Sequence, residues 1–237
     1  KKISQDKGLI NYLLSHRHST PFEMNEIKLH IKLPIFVARQ WIRHRTANVN
    51  EYSARYSVLD NEFYIPEKRN IKSQSKINNQ GRDSEVKDSD QIKKMLLANS
   101  KKNFEIYNLL LNEDKNGNVI TEEKEGIARE LARMVLPLNT YTQWYWKIDL
   151  HNLMHFLSLR FDKHAQYEIR VYAELILKIM KKWVPYTYDA FVKYRLSGMS
   201  FSKDGLIYLR KLLNGVKKIS TNVSPREKRE IDEIFEI

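Results

Sequence analysis

Arginine, histidine and arginine stand together at Arg43, His44 and Arg45, and after seven further residues comes Ser53, within a run from Gln40 to Tyr56 that also holds Glu51 and Arg55. Guanidinium groups stay charged and present planar forks shaped for phosphate oxygens. Here they stand beside apolar residues that should bury, so charge is held against a core wall at a cost that a bound anion or a partner would offset. The plainer reading is a basic helix C-terminus stabilised by the helix dipole. A second constellation is His151 and His155, because two imidazoles one helical turn apart can share a metal. They lack the glutamate of a His-Glu-x-x-His zinc motif and no further ligand lies at a suggestive distance, so a structural or ligand-contacting pair is expected, and no metal. The chain has no cysteine, which excludes disulfides and a thiolate nucleophile.

The elements that must position these groups follow from periodicity. Ile35 to His44 has no internal Gly or Pro and starts just after Pro34, so it predicts a helix with Gln40, Arg43 and His44 on one face and Val37, Trp41 and Ile42 turned inward. Thr46 to Asn50 reads as a loop and Glu51 to Ser57 as a short strand or extended segment, so helix end, loop and strand start converge on one pocket. Upstream, Lys7 to Ser15 reads as a helix, and Ile27, Leu29, Ile31 and Leu33 alternate with polar residues as in a half-buried strand. Phe63 to Pro66 is a further sheet piece or a loop anchor. From Lys68 to Asp90 only Ile71, Ile77 and Val86 can bury, which predicts a mobile surface insertion. Ile92 to Leu111 is a long amphipathic helix. Gly126 to Leu136 is a helix ended by Pro137, with Arg129 and Arg133 one turn apart and Glu130 beside them. Asn139 to Ile148 is a strand whose aromatic residues are buried strand faces more readily than a base-stacking platform, and Leu150 to Arg160 and Glu168 to Trp183 are helices. Strands and helices interleave without a βαβ rhythm, so the fold class is α+β, a mixed or antiparallel sheet packed with several helices. The expected domains are 1–200 and a helical C-terminal extension, 201–237, with one or two helices around Tyr208 to Leu213 and Arg226 to Phe235.

Composition narrows the partners. The 237 residues suffice for one large or two small domains, and 41 Lys and Arg against 29 Asp and Glu give 41 − 29 = +12. Such a charge suggests an anionic partner, whether nucleic acid, a nucleotide, a dinucleotide phosphate or a folate. No apolar run approaches a membrane span and no signal peptide is visible, so a cytoplasmic protein without membrane contact is expected.

Four blocks carry a resemblance. Arg43-His44-Arg45 with Ser53 resembles the signature of the flavin-dependent thymidylate synthases, as do the flanking Phe36 to Ile42 and Asn50 to Tyr56. His18 to Glu23, Ala128 to Pro137, and Leu153 to Arg160 with His164 to Glu168 resemble further blocks of that family in the same order. Their fold is implied for about residues 8–195, and a further N-terminal segment before Lys1 is expected. The resemblance implies a homotetramer with active sites at subunit interfaces that binds FAD, reduces it with NADPH, takes a one-carbon unit from 5,10-methylenetetrahydrofolate and converts dUMP to dTMP, with no nucleic acid as partner. It implies flavin contacts at His18, Thr20, Arg43, His44, Arg45, Thr46 and Glu51, where cationic side chains and a helix end suit the pyrophosphate. His18 lies near flavin and folate in that family. For dUMP it implies Gln40, Arg43, Glu51, Ser53, Ala54, Arg55, Arg133 and Arg160.

Arg160 and Ser53 are the implied catalytic residues. An arginine cannot give up its proton, so Arg160 acts as a fixed cation where negative charge grows on the uracil ring. Ser53 has no adjacent base to activate it, and the family mechanism is read without a covalent enzyme–uracil bond, so it positions substrate. The chain departs from the family at Asp149-Leu150-His151, where many members carry Asn-x-Arg, and at His155, where some carry Asn. Those positions line the adenine side of the flavin in relatives. Two other classes compete: a nucleic-acid-binding protein, resting on charge and aromatics, and a metal-dependent nucleotide hydrolase using His151 and His155.

Overall fold

Alternation produces the strand it predicts. Following helices α1 (Lys2–Ser15) and α2 (Thr20–Glu23), strand β1 (Glu26–Pro34) buries Ile31 and Leu33 and leaves Lys28, His30 and Lys32 exposed. The computed structural model describes residues 2–76, 81–114, 116–216 and 219–235, so Ile77 lies outside the described residues. The chain divides into two units, Lys1–Pro185 and Tyr186–Ile237.

In the first unit, β1 runs into helix α3 (Ile35–Trp41), the chain turns, and β2 (Asn48–Glu51) follows. Helix α3 is shorter than its pattern predicts. Its last turn closes with the Ile42 amide on the Ala38 carbonyl and the His44 amide on the Trp41 carbonyl, so Arg43 and His44 leave the helix and Ile42 is exposed. The physical reason lies outside the helix: Asn48 must pair with Lys147, which forces a reversal within six residues of Ile42. The expected loop and strand exchange places accordingly. Asn48 to Glu51 is the strand, and Ser53 to Ser57 is a turn in which the Ser53 carbonyl accepts from the amides of Tyr56 and Ser57.

Next come the antiparallel paired strands β3 (Lys72–Gln74) and β4 (Arg82–Glu85), the long helix α4 (Ser89–Leu111), the one-turn helix α5 (Arg129–Ala132), strand β5 (Tyr141–Asp149), and helices α6 (Leu150–Arg160) and α7 (Tyr167–Trp183). The 68–90 stretch has an anchor that composition did not show. Buried Glu168, at the start of α7, accepts from Arg82 Nη2 at 2.7 Å on one oxygen and 2.5 Å on the other, from Tyr64 Oη at 3.0 Å and from Gln166 Nε2 at 2.9 Å. The helix expected over 126–136 is also shorter: only Arg129 to Ala132 is α-helical, followed by a 3₁₀ turn, Arg133–Val135. Gly126 explains the extended lead-in. A Cβ there would lie 1.9 Å from the Leu111 carbonyl oxygen, so the segment rests directly on the end of α4.

The main sheet is antiparallel in the order β1-β5-β2, with Ile31 opposite Trp144, Leu29 opposite Trp146 and Val49 opposite Trp146. Period-two geometry sends Trp144, Trp146 and Ile148 to one face, where α3 and α6 cover them. Trp41 is the centre of this core: fully buried, it meets Trp144 and Trp146 edge-on and stacks on Phe156 with ring centroids 4.7 Å apart. Phe63 to Pro66 proves to be a loop anchor, bridging Phe63 to Thr140 while the Tyr64 carbonyl accepts from Asn139. The second unit holds α8 (Pro185–Phe191), which begins at the boundary, then α9 (Lys203–Leu213) and α10 (Pro225–Phe235). Ser202 caps α9, and Tyr208 reaches Asp232 across the α9–α10 pair at 2.7 Å.

Candidate active site

The turn after α3, strand β2 and the C-terminal end of α6 bring one set of predicted residues together. Arg160 Nε–H donates to His44 Nε2 at 3.0 Å across 116 positions of sequence. Arginine can only donate, so this His44 nitrogen accepts and the imidazole proton sits on Nδ1. The ring meets Phe156 edge-on at 4.9 Å and lies 6.0 Å from the ring of His155. Burial first, then the charge of Arg160 and the neighbouring His155, push His44 down from its ordinary 6.5 to about 4, so it is neutral at physiological pH. Burial also draws Arg160 below the usual arginine value. Arg160 therefore meets a neutral acceptor and keeps its charge unopposed.

A second set gathers on the Ser53–Ser57 turn. Arg55 Nη2 pairs with Glu130 at 3.3 Å, and Arg129 Nη1 donates to the Tyr56 carbonyl at 2.9 Å. Arg133, one turn beyond Arg129, donates from Nε to the Glu130 carbonyl at 3.3 Å. Helix α5 thus docks on the turn and brings Ser53, Arg55 and Arg133 to one neighbourhood. Glu51, at the end of β2, accepts from the buried Thr142 hydroxyl on the central strand at 2.7 Å.

Other predicted residues lie on neighbouring segments of this unit. His18 belongs to the α1–α2 connection, where it stacks loosely on Tyr12 with centroids 6.0 Å apart, while Thr20 opens α2, which packs on α6. Asp149 caps the N-terminus of α6, accepting from the Asn152 amide at 2.9 Å and the Asn152 side chain at 2.7 Å. Both its oxygens serve that cap. At 1.5 Å per residue it is about 16 Å along the helix from Arg160. His151 and His155 share a face of α6, and among the described residues no group of three His, Asp or Glu side chains is placed to hold a metal.

One expectation is corrected. A helix end was expected to favour an anion at Arg43, His44 and Arg45, but these residues follow the C-terminus of α3, whose unpaired carbonyls carry the negative end of the dipole. The arginines alone supply the attraction. Among the described residues, Arg43, Arg45, Arg133 and Arg160 face no carboxylate, whereas Arg55, Arg82 and Arg129 are paired. Sequence reasoning passed over the docking role of Glu130 and Arg129, visible beforehand only as charges flanking Arg133, and the support Thr142 gives Glu51, for which no local signal exists.

A family model described as "Thymidylate synthase complementing protein" matches residues 1–186. The flavin-dependent thymidylate synthase of Rickettsia conorii is 57% identical over 240 residues, covering 100% of this chain and 81% of its own. That of Ehrlichia ruminantium is 56% identical over 239 residues, covering 99% and 76%. A UMP/dUMP methylase of Streptomyces cacaoi, solved with 5-Br dUMP, superposes with a TM-score of 0.69 at 34% identity over 81% of each chain. With the α+β architecture and the Arg-His-Arg and Ser53 segments joined through one strand, these likenesses establish that the chain belongs to the flavin-dependent thymidylate synthase family.

Proposed function

We propose that the protein is a flavin-dependent thymidylate synthase converting dUMP to dTMP, with 5,10-methylenetetrahydrofolate as carbon donor and NADPH as reductant. The observation that carries this is that Arg43, Arg45, Arg133 and Arg160, all within the blocks that resemble the family, face no carboxylate among the described residues, whereas Arg55 and Arg129 beside Arg133 are paired. Such a set fits phosphorylated ligands, because each cation unmatched inside the protein is left to bind an anion from outside. FAD, when bound, carries electrons between NADPH and the one-carbon unit.

The residues assigned to FAD are His18, Thr20, Arg43, His44, Arg45, Thr46, Glu51, His151 and His155. Asp149 is the weakest member, since its carboxylate caps α6. Gln40, Arg43, Glu51, Ser53, Ala54, Arg55, Arg133 and Arg160 are assigned to dUMP. A buried Gln40 Oε1 without a hydrogen-bond partner among the described residues supports its place in this set. Arg160 stabilises negative charge on the uracil ring while neutral His44 holds its Nε–H in one direction. Ser53, which accepts from the Arg55 amide at 3.3 Å, positions the nucleotide.

All these residues lie in the first unit; the catalytic domain is assigned to residues 1–200, with the helices after residue 200 as an extension. A homotetramer with sites between subunits is supported by apolar residues exposed beside site residues: Ile42 next to Arg43, Val49 close to Glu51, and Met134 next to Arg133. No described helix is long and apolar enough to cross a membrane, and the cytoplasm is the proposed location. The test is direct. The purified protein should show flavin absorbance and form dTMP from dUMP only when NADPH and the folate are both present. A protein that takes up no FAD, or that binds single-stranded nucleic acid and leaves dUMP untouched, would overturn the proposal.

A further inference from the structure

Helix α5 is too short to hold its own position, so its anchors matter. Gly126 lies against the Leu111 carbonyl, and the Ile127 amide donates to the Leu110 carbonyl at 2.8 Å. Asn112, left-handed at φ 54°, closes the preceding loop by donating to the Thr121 and Lys124 carbonyls at 2.8 and 2.6 Å. The end of α4 is therefore a fixed base. From it Glu113 holds Arg129 Nη2 at 3.3 and 3.4 Å to its two oxygens, and the other Nη of the same guanidinium holds the Tyr56 carbonyl at 2.9 Å. One planar fork thus links the α4 end to the turn that carries Ser53 and Arg55.

We infer that Arg129, oriented by Glu113, is a positioning residue for dUMP binding: it sets the Ser53–Ser57 turn at the distance the nucleotide requires without touching the nucleotide. This rests on the proposed function. A guanidinium can satisfy both partners at once because its donors lie in one rigid plane, whereas a lysine ammonium reaches one of them and must choose. Arg55 cannot serve in its place. Its contact is a single exposed ion pair with Glu130, the kind that contributes little rigidity.

The experiment compares Arg129→Gln, Arg129→Lys and Glu113→Gln with the wild-type enzyme, measuring flavin content, KM and kcat for dUMP, and dUMP affinity by calorimetry. Losing one charge-assisted hydrogen bond to the turn should raise the KM and Kd for dUMP about tenfold in Arg129→Gln. Flavin content should be unchanged and kcat should fall less than KM rises. Arg129→Lys should recover part of the affinity and Glu113→Gln should lose less than Arg129→Gln. The double variant should lose no more than Arg129→Gln alone, since both act through one fork. A merely structural Arg129 would instead lower melting temperature, flavin content and kcat together and leave KM alone, which would overturn the inference. If Arg129→Gln fails to fold, unchanged dUMP affinity in both Arg129→Lys and Glu113→Gln would overturn it equally. A wild-type protein that binds flavin but not dUMP would refute the functional proposal itself, a separate outcome read before any variant is made.

Discussion

Acidification charges a histidine that the fold holds neutral, and the consequence can be worked through in numbers. In the unfolded chain His44 takes up a proton near 6.5, whereas in the folded protein burial, then Arg160 and His155, hold it down to about 4. Between those values the unfolded state binds more protons. His44's contribution is therefore fully present above 6.5, is lost as pH falls from 6.5 through 4, and is constant below. A difference of about 2.5 units corresponds to ~3.4 kcal/mol at about 1.36 kcal/mol per unit. Because His44 is only half-buried, solvent screening reduces this to about 1–2 kcal/mol. Two measurements check it on ligand-free protein: an NMR titration of the His44 ring, and urea unfolding at the two ends of the window. In Arg160→Gln the second cause disappears while burial, the larger one, remains. The His44 pKa should rise part of the way toward 6.5 and the pH dependence of stability should flatten. Saturating dUMP should also raise it, by placing negative charge nearby. A wild-type His44 titrating at or above 6.5, or one indifferent to Arg160→Gln, would refute the reasoning.

Four further outcomes are expected. Burial is the largest influence on Glu168 and pushes its carboxyl up, but hydrogen bonds from Arg82 and Gln166 with the Arg82 charge outweigh it and leave Glu168 below the usual carboxylate range. Arg82→Gln should then cost about 2–3 kcal/mol in urea unfolding at neutral pH. It should also move acid unfolding to higher pH, since stability present above the unfolded carboxylate value is lost sooner when the folded value rises; an unmoved acid transition would count against the pair. Trp41→Ala removes the ring shared by Trp144, Trp146 and Phe156 and should cost about 3–5 kcal/mol by the same method. Arg160→Gln should lower kcat about a hundredfold with little change in the KM for dUMP, and the reverse pattern would make Arg160 a binding group only. Ser53→Ala should keep measurable turnover and weaken dUMP binding about tenfold, whereas abolished turnover with intact dUMP affinity would point to covalent catalysis.

Local periodicity determined a good deal of this protein. Alternation in Ile27–Leu33, the Thr- and Trp-rich run before Leu150, and the 3.6-residue patterns of α4, α6 and α7 each describe a segment whose buried face is set by its own residues, and those elements form where expected. The Arg43-His44-Arg45 and Ser53 blocks identified the family for a related reason, since chemistry written in side-chain types survives in sequence. The tertiary structure decided what depends on distant partners. Where α3 stops, and that Asn48 to Glu51 is a strand, follow from pairing with β5 about a hundred residues later. The anchor of the paired strands β3 and β4 is a buried carboxylate on α7. Only the fold brings Arg160 to His44 and Arg129 to the Tyr56 carbonyl, and so only the fold separates arginines that pair inside the protein from those left unmatched. A guanidinium has the same composition and charge in both roles; what distinguishes them is which carboxylate or carbonyl long-range packing sets within about 3 Å.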